Sequence, residues 1–262
     1  DVYSILERDE RLKMNASSPM VKNIIDEAVR VINGLTYIDE NSAFVPRYFE
    51  YEFFDKTRLD LKNISLIGKV DRIDEYQNAL RIIDYKSGKA DASLKELYYG
   101  NKLQLFLYAL AVEQTLKKEV VGVFYLPLHN VFTREIASNY SLKGFYKNDH
   151  DIILAMDTRL QPGVKSDIVN IKMNKSGTAR KTIGYKELSQ SELSTLKEYS
   201  RRVSERAVDE IKSGYISPSP SEISNMCDYC PYAHICMHDA SNIQYRAVDK
   251  VNLSSFKEVN ND

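Results

Sequence analysis

The sequence has almost no net charge, few cysteines and no long apolar run, and each shortage excludes a class of protein. Its 36 Lys and Arg against 37 Asp and Glu leave a net charge of −1, so a nucleic-acid role would depend on a local basic groove. No apolar run is long enough to span a membrane, and no segment resembles a secretion signal. Three cysteines cannot all pair in disulfides within the chain, which indicates a reducing compartment.

The residues that are present are typical of a folded domain. Hydrophobic residues make up 43% and charged residues 28% of 262 residues, enough for a sizeable core in one large or two small domains. The chain begins at Asp1 without a methionine, and we expect it to be a piece of a longer protein or a processed product. It contains no G-x-x-x-x-G-K-[ST] loop, so any ATP hydrolysis would belong to another domain.

The spacing of apolar residues predicts an α/β core. Two strands joined by a short turn predict an antiparallel hairpin, and a helix followed by an apolar run predicts a crossover to a buried strand. The predicted elements are a helix at 21–33 ended by Gly34, strands at 44–54, 64–76 and 80–86, a helix at 102–117, a strand at 120–128 and a helix at 186–213. Residues 130–182 show little periodicity and predict a loop-rich insertion.

The hairpin carries two carboxylates that we expect to converge. Asp84 and Lys86 are two residues apart on a strand and share a face, and pairing across the turn would bring Asp71 to the same end of the sheet. Two carboxylates suit Mg²⁺ or Mn²⁺, and a lysine beside them can offset negative charge during phosphodiester hydrolysis. The alternative is a charged group on a solvated strand face. Asp74 and Glu75 are interpreted as charges beside the turn.

All three cysteines lie within ten residues, in the order Cys227, Cys230 and Cys236. The first two bracket a tight turn, the geometry by which two thiolates hold one metal centre. A four-ligand centre needs one more residue. A zinc site completed by His234 or His238, a centre completed by a distant residue, and three unrelated thiols all stay open.

The ordered motifs resemble those of the PD-(D/E)XK nuclease superfamily. The resemblance rests on Gly68-x-x-Asp71, Asp84-Tyr85-Lys86, the pair Gln104 and Tyr108, and the closing cysteines. It points to the RecB-type branch, which includes Cas4-like exonucleases, and most closely to the C-terminal nuclease domain of the AddB family, over residues 60–240. Gln104 and Tyr108 are four apart and share a helix face; in the family, this Q-x-x-x-Y motif lies beside the active site and helps to hold DNA.

The resemblance implies a fold and a domain organisation. We expect a restriction-endonuclease-like α/β core, with a central mixed sheet, built from an antiparallel meander plus a crossover strand, flanked by helices. The nuclease domain would span 1–240, with the loop-rich insertion at 130–182 and the cysteine segment at 217–240. Residues 241–262 would form a C-terminal tail.

The resemblance also implies a role for each site residue. Asp71 and Asp84 would bind Mg²⁺ or Mn²⁺, the backbone carbonyl of Tyr85 would be a third ligand, and Lys86 would orient or activate the attacking water. In the full-length protein, the three cysteines would hold a [4Fe–4S] cluster together with a distant N-terminal cysteine.

Two residues of the family pattern are missing from this chain. All four histidines lie downstream of the hairpin, so none is the family's upstream metal-binding histidine, and the fourth cysteine is absent as well. One truncation would explain both absences. Otherwise the metal site is incomplete, or an upstream carboxylate such as Glu27 or Glu52 contributes to it.

The function implied by the resemblance is that of a metal-dependent exonuclease acting on single-stranded DNA. It would work in the bacterial cytoplasm, without membrane contact, in a helicase–nuclease complex with an AddA-type subunit, and would process double-strand-break ends for recombinational repair. The alternatives are a catalytically inactive DNA-binding or scaffold module and a stand-alone Cas4-like exonuclease.

Overall fold

A six-stranded mixed sheet forms the centre of the protein. The computed structural model describes residues 19–54, 59–62, 64–88, 90–128, 140–169, 171–175, 179–180, 186–220, 226–236, 245–246 and 250–257. The strands are β1 (Val45–Phe53), β2 (Leu59–Leu61), β3 (Ile64–Leu66), β4 (Gly68–Tyr76), β5 (Ala79–Lys86), β6 (Glu119–Pro127), β7 (Lys143–Lys147), β8 (Lys172–Met173), β9 (Ala179–Arg180) and β10 (Lys186–Leu188). The central sheet has the order β1-β4-β5-β6-β7-β10, while β2 pairs with β3 and β8 pairs with β9.

Helices cover both faces of this sheet. They are α1 (Pro19–Glu40), α2 (Leu94–Tyr98), α3 (Gln104–Leu116), α4 (His150–Met156), α5 (Gln190–Lys212) and α6 (Ala233–Cys236), with 3-10 turns at Met226–Tyr229 and Leu253–Phe256. One core lies between the sheet, α2, α3 and α5, and a second lies between the sheet, α1 and α4. None of the described helices is long and apolar enough to cross a bilayer.

The strands around the predicted hairpin confirm the mixed sheet. β1, β4 and β5 form an antiparallel meander, and β5 then pairs in parallel with β6 after the α3 crossover. Because side chains alternate along β5, Leu80 and Ile82 face the α3 side while Ile83 faces the opposite core. The same alternation places Asp84 and Lys86 on the α3 side.

The first helix is longer than the sequence predicts. A helix ended by Gly34 is wrong, since α1 continues to Glu40. Gly34 is buried inside the helix, where a Cβ atom would overlap the ring of Tyr140. The glycine therefore allows a close approach between α1 and the segment that precedes β7.

Substitution of Gly34 by alanine is expected to destabilise the fold, although alanine is normally the better helix former. The added Cβ would force the Tyr140 ring or the helix to move, and overpacking of this kind costs about 1–3 kcal/mol. Thermal unfolding of Gly34→Ala and of the exposed neighbour Asn33→Ala measures the effect. A gain in both variants would contradict the close-approach explanation.

Two further predictions of chain organisation are corrected. The strand predicted at 64–76 is two strands, because β3 pairs with β2 whereas β4 enters the central sheet. The loop-rich interpretation of 130–182 is wrong for its described part from Tyr140 onward, which contributes β7 to the central sheet and α4 to the second core. Residues 129–139 lie outside the described residues.

The C-terminal end of the described chain packs onto the domain. The ring of Phe256 is fully buried and lies 4.8 Å from that of Tyr199 and 5.5 Å from that of Tyr98, measured between centroids. The segment predicted to be a C-terminal tail thus supplies a core residue.

The helix predicted at 186–213 is instead the strand β10 followed by the helix α5. This helix begins at a capping box formed by Ser189 and Glu192.

Candidate active site

The candidate site lies where strands β4 and β5 separate. Their paired register ends at Arg72 opposite Ile83, one step before Asp71 and Asp84. Beyond that point the Asp71 side chain links the two strands, because its Oδ2 accepts a hydrogen bond of 2.7 Å from the backbone N–H of Tyr85. The structure therefore brings Asp71 and Asp84 together at the open end of the hairpin, as the sequence predicts.

Asp84 is a nearly buried carboxylate. Only 2% of the residue is exposed, and burial raises the pKa of its carboxyl group, with Lys86 acting in the opposite direction and Asp71 raising it further. The Lys86 ammonium forms an ion pair with Oδ2. Lys86 is therefore the cation that faces this buried carboxylate.

Replacement of Asp84 by asparagine is expected to stabilise the metal-free fold at neutral pH. Because the pKa of Asp84 is higher in the folded than in the unfolded chain, the ionised carboxylate opposes folding above the folded pKa, and this penalty disappears as the pH falls below the unfolded value. The gain should be on the order of 1 kcal/mol at pH 7 and vanish in acid. Chemical denaturation with EDTA across pH checks this; a variant less stable than wild type at pH 7 contradicts it.

Lys86, Gln104 and Tyr108 form a chain of hydrogen bonds beside the carboxylates. The Lys86 ammonium donates to Oε1 of Gln104 at 2.9 Å, and the Gln104 amide donates to the Tyr108 hydroxyl at 2.8 Å. The ammonium also lies 5.3 Å from the centroid of the Tyr125 ring on β6. The first turn of α3 therefore fixes the position of the lysine next to Asp84.

Gly68 and Phe53 help to position the ring of Tyr108. A Cβ atom on Gly68 would lie 2.6 Å from the Phe53 ring, so the glycine leaves room for that ring. Phe53 is fully buried and packs edge-on against Tyr108, with centroids 5.8 Å apart. Gly68 therefore allows Phe53 to pack against Tyr108, the tyrosine of the Q-x-x-x-Y motif.

A small cavity opens on the other side of Gln104. It has a volume of about 200 Å³ and is bordered by Lys86, Lys102, Asn101 and Tyr125 among others. Lys102 is held there by Glu96 at 2.8 Å. The cavity gives the lysine side of the site access to solvent.

The end of the hairpin where β4 and β5 separate, at Asp71 and Asp84, is called the fork here. The residues at the fork fit a divalent cation. Mg²⁺ binds in proteins through one or two carboxylates and keeps several waters or substrate oxygens as further ligands. Asp71, Asp84 and the backbone carbonyl of Tyr85 would supply the protein's share. In the described part of the chain no three His, Cys, Asp or Glu side chains are grouped around one metal position, so neither Glu27 nor Glu52 joins the two aspartates.

The three cysteines lie in short helical turns after α5. Cys227 and Cys230 are half-buried and Cys236 is exposed, and all three are free thiols. They are not arranged as a ready three-ligand metal site within the described residues. His234 is exposed on α6, and His238 lies outside the described residues. A metal centre at these cysteines stays a prediction.

A buried charge network, which the sequence pattern does not predict, lies on the opposite face of the hairpin. Asp74, interpreted as a charge beside the turn, is fully buried between Arg72 and Arg81. Asp74 stands directly opposite Arg81 in the register. Counting residues across the turn at 77–78 would have revealed this pair of opposite charges. Tyr125 was also missed, since it reaches the site from β6.

The comparisons with known proteins agree with this geometry. The sequence matches the PD-(D/E)XK nuclease superfamily over residues 6–237. It is 31% identical over 280 residues to the ATP-dependent helicase/deoxyribonuclease B subunit of Clostridium tetani, covering 94% of this chain and 24% of that protein. The protein of the same name from Bacillus subtilis is 29% identical over 254 residues, covering 84% of this chain and 22% of that protein.

The chain spans about a quarter of the length of these curated relatives. Their similarity covers most of this chain, which confirms the resemblance to the AddB family of helicase/deoxyribonucleases. With the superfamily motifs assembled at the fork of the hairpin and the superfamily match extending over 6–237, this chain belongs to the PD-(D/E)XK nuclease superfamily.

Proposed function

We propose that this chain is a metal-dependent nuclease domain that hydrolyses phosphodiester bonds in single-stranded DNA. The observation that carries the proposal is the meeting of Asp71, Asp84 and Lys86 at the open end of the β4–β5 hairpin. Two carboxylates that can bind a divalent cation and an ammonium group beside them are side chains suited to metal-assisted phosphodiester hydrolysis.

Each side chain has a distinct part in the proposed chemistry. A divalent cation bound by Asp71 and Asp84 would lower the pKa of a water molecule and offset the charge of the phosphate. Lys86, held by Gln104, stabilises the negative charge that develops on the phosphate as water attacks. Tyr108 keeps the Gln104 amide oriented so that its oxygen faces the lysine.

The proposed setting is a bacterial, cytoplasmic helicase–nuclease complex. The names of the relatives join a helicase and a deoxyribonuclease in one protein, which supports DNA as the substrate and an AddA-type subunit as the partner. We propose exonuclease action on double-strand-break ends during recombinational repair. Since this chain has no phosphate-binding ATPase loop, ATP hydrolysis would lie in other domains.

For the cysteines we propose a [4Fe–4S] cluster in the full-length protein, completed by a cysteine outside this chain. Three thiolates leave one position of a four-ligand cluster open. Iron and sulfide analysis of the longer protein would support the cluster at four of each per chain, and zinc in their place would favour the alternative centre.

The proposed nuclease is tested with a labelled single strand of DNA. The chain is incubated with Mg²⁺ or Mn²⁺, with EDTA as the metal-free comparison, and products are followed by gel electrophoresis. Degradation that requires the metal is the expected result. Tight DNA binding without any cleavage, in this chain and in the full-length protein, would instead support the scaffold alternative.

A further inference from the structure

The small cavity beside Gln104 brings two lysines to one opening. Lys86 borders it from β5 and Lys102 borders it from the turn before α3, while Asn101 and Gln104 add side-chain amides. The volume of about 200 Å³ has room for a phosphate group and some water, because a water molecule takes up ~30 Å³ in the liquid. Among the described residues that line the cavity, the one carboxylate is that of Asp91, which is exposed. The lining therefore favours an anion over a cation.

The turn that carries Lys102 is fixed by its backbone. Helix α2 ends in a Schellman motif. The Gly100 N–H donates to the Leu97 carbonyl at 3.0 Å, and the Asn101 N–H donates to the carbonyl of Glu96 at 2.8 Å. Gly100 has a φ of +79°, the left-handed conformation that the motif needs and that glycine adopts without strain. The chain consequently reaches Lys102 through a defined turn.

The Lys102 ammonium group is held in place and keeps a donor for a ligand. It lies 2.8 Å from Oε2 of Glu96 and donates to the backbone carbonyl of Asp91 at 2.9 Å. An ammonium group has three N–H donors, so these two acceptors from the described residues leave one. The contact with Asp91 depends on its backbone alone, and its exposed carboxylate has no part in it.

Lys86 also keeps a donor beside this cavity. Its ammonium group forms an ion pair with Asp84 and donates to Oε1 of Gln104, so at least one of its three N–H groups is left. Two ammonium groups that border one small cavity disfavour each other electrostatically. An anion bound between them would offset this repulsion and would accept a hydrogen bond from each.

The position of the cavity indicates which anion it would take. In the proposed reaction Lys86 faces the phosphate that is cleaved, and the cavity adjoins Lys86. A single strand of DNA carries a phosphate at every nucleotide, so the neighbour of the scissile phosphate lies beside this lysine. Contacts of lysine with backbone phosphates position a strand without reading its sequence.

We propose that this cavity binds the DNA backbone phosphate next to the one that is cleaved, and that Lys102 holds it. The inference rests on the proposed nuclease function and adds a second anchoring point for the substrate. Because the contact is made before and during the chemical step alike, Lys102 contributes to DNA binding rather than to the rate of that step. Lys86 remains the ammonium group at the reacting phosphate.

The test is the salt dependence of single-strand binding by the whole chain. Fluorescence anisotropy with a labelled oligothymidylate in EDTA measures the Kd without cleavage. Each phosphate contacted in a single strand contributes about −0.7 to the slope of log affinity against log salt. Lys102→Gln should reduce the slope by about 0.7 between about 50 and 200 mM salt. Its Kd at the lower salt should rise about three- to tenfold. In the cleavage assay with Mg²⁺ the loss should appear in KM rather than in kcat.

Lys95→Gln is the matched control. Lys95 is an exposed lysine of α2 that does not line the cavity, so its substitution removes the same charge close by. Its slope and Kd should stay near wild type. An unchanged slope in Lys102→Gln, or an equal loss in both variants, overturns the phosphate site. Thermal unfolding of Lys102→Gln should match wild type, because the ion pair that it removes is partly exposed.

Lys102→Arg is a second variant that keeps the positive charge. Its salt slope should stay near that of wild type, because a phosphate accepts hydrogen bonds from either cation. A slope as low as that of Lys102→Gln would show that the charge at this position does not bind the strand, and would overturn the proposal.

Failure of the proposed nuclease has a different signature. If wild type cleaves DNA through Asp84 while Lys102→Gln binds the strand with the wild-type slope, only the phosphate site is overturned. If Lys102→Gln loses slope while wild type and Asp84→Asn cleave equally, the proposed nuclease site is overturned, and the cavity remains a phosphate contact of a DNA-binding module.

Discussion

Asp84→Asn is expected to reduce metal-dependent DNA cleavage by about 10³-fold or more. A catalytic metal supplies several kcal/mol of transition-state stabilisation, and each ~1.4 kcal/mol corresponds to a tenfold change in rate. The amide is a weaker, uncharged ligand at the most buried position of the site. Initial rates on a labelled single strand at saturating Mg²⁺, for wild type and variant, give the ratio.

Asp91→Asn is the matched control for this loss. Asp91 is an exposed aspartate at the border of the cavity beside Lys86, so its replacement removes the same charge near the site without touching the fork. Its rate should stay within a few-fold of wild type. Because Asp84→Asn is expected to fold at least as stably as wild type, unfolding would not explain its inactivity. Equal cleavage by wild type and Asp84→Asn would eliminate the proposed site.

Asp74→Ala is expected to cause the largest loss of stability, about 3–5 kcal/mol. Removal of the shared carboxylate leaves Arg72 and Arg81 facing each other in the core, where Arg81 has no exposed surface at all. A buried charge without its partner is strongly unfavourable. For a chain of this size the unfolding midpoint should fall by roughly 10 °C, as measured by calorimetry or circular dichroism.

Asp39→Ala provides a graded comparison, since Asp39 contacts the same Arg72 but its side chain is 36% exposed. Water can replace this partner in part, so the loss should be clearly smaller than that of Asp74→Ala. Equal losses of stability in the two variants would show that the cost of removing an acidic partner of Arg72 does not depend on how deeply that partner is buried.

The convergence of Asp71 and Asp84 could be predicted because it depends on local geometry. A short turn fixes the register of a hairpin, and a period of two fixes which side chains share a face. Counting outward from residues 77–78 places Asp71 opposite Asp84 without any knowledge of the rest of the fold. The helical spacing of Gln104 and Tyr108 is local in the same sense.

Burial of Asp74 could not be inferred from its own strand. Whether a charge beside a turn is solvated depends on what packs over it, and here the covering residues come from the end of α1 and from Ser42 and Phe44. Those contacts join residues more than thirty positions apart. The extension of α1 past Gly34 was missed for the same reason, since the partner that requires glycine is the distant Tyr140.

The burial of Phe256 bears on how the chain can be shortened. Its ring closes a group that includes the stacked rings of Tyr98 and Tyr199, whose centroids are 5.7 Å apart. A version trimmed after the cysteine segment would expose these aromatic surfaces to water and would tend to self-associate. Any truncation made for crystallisation should therefore retain the chain through Phe256.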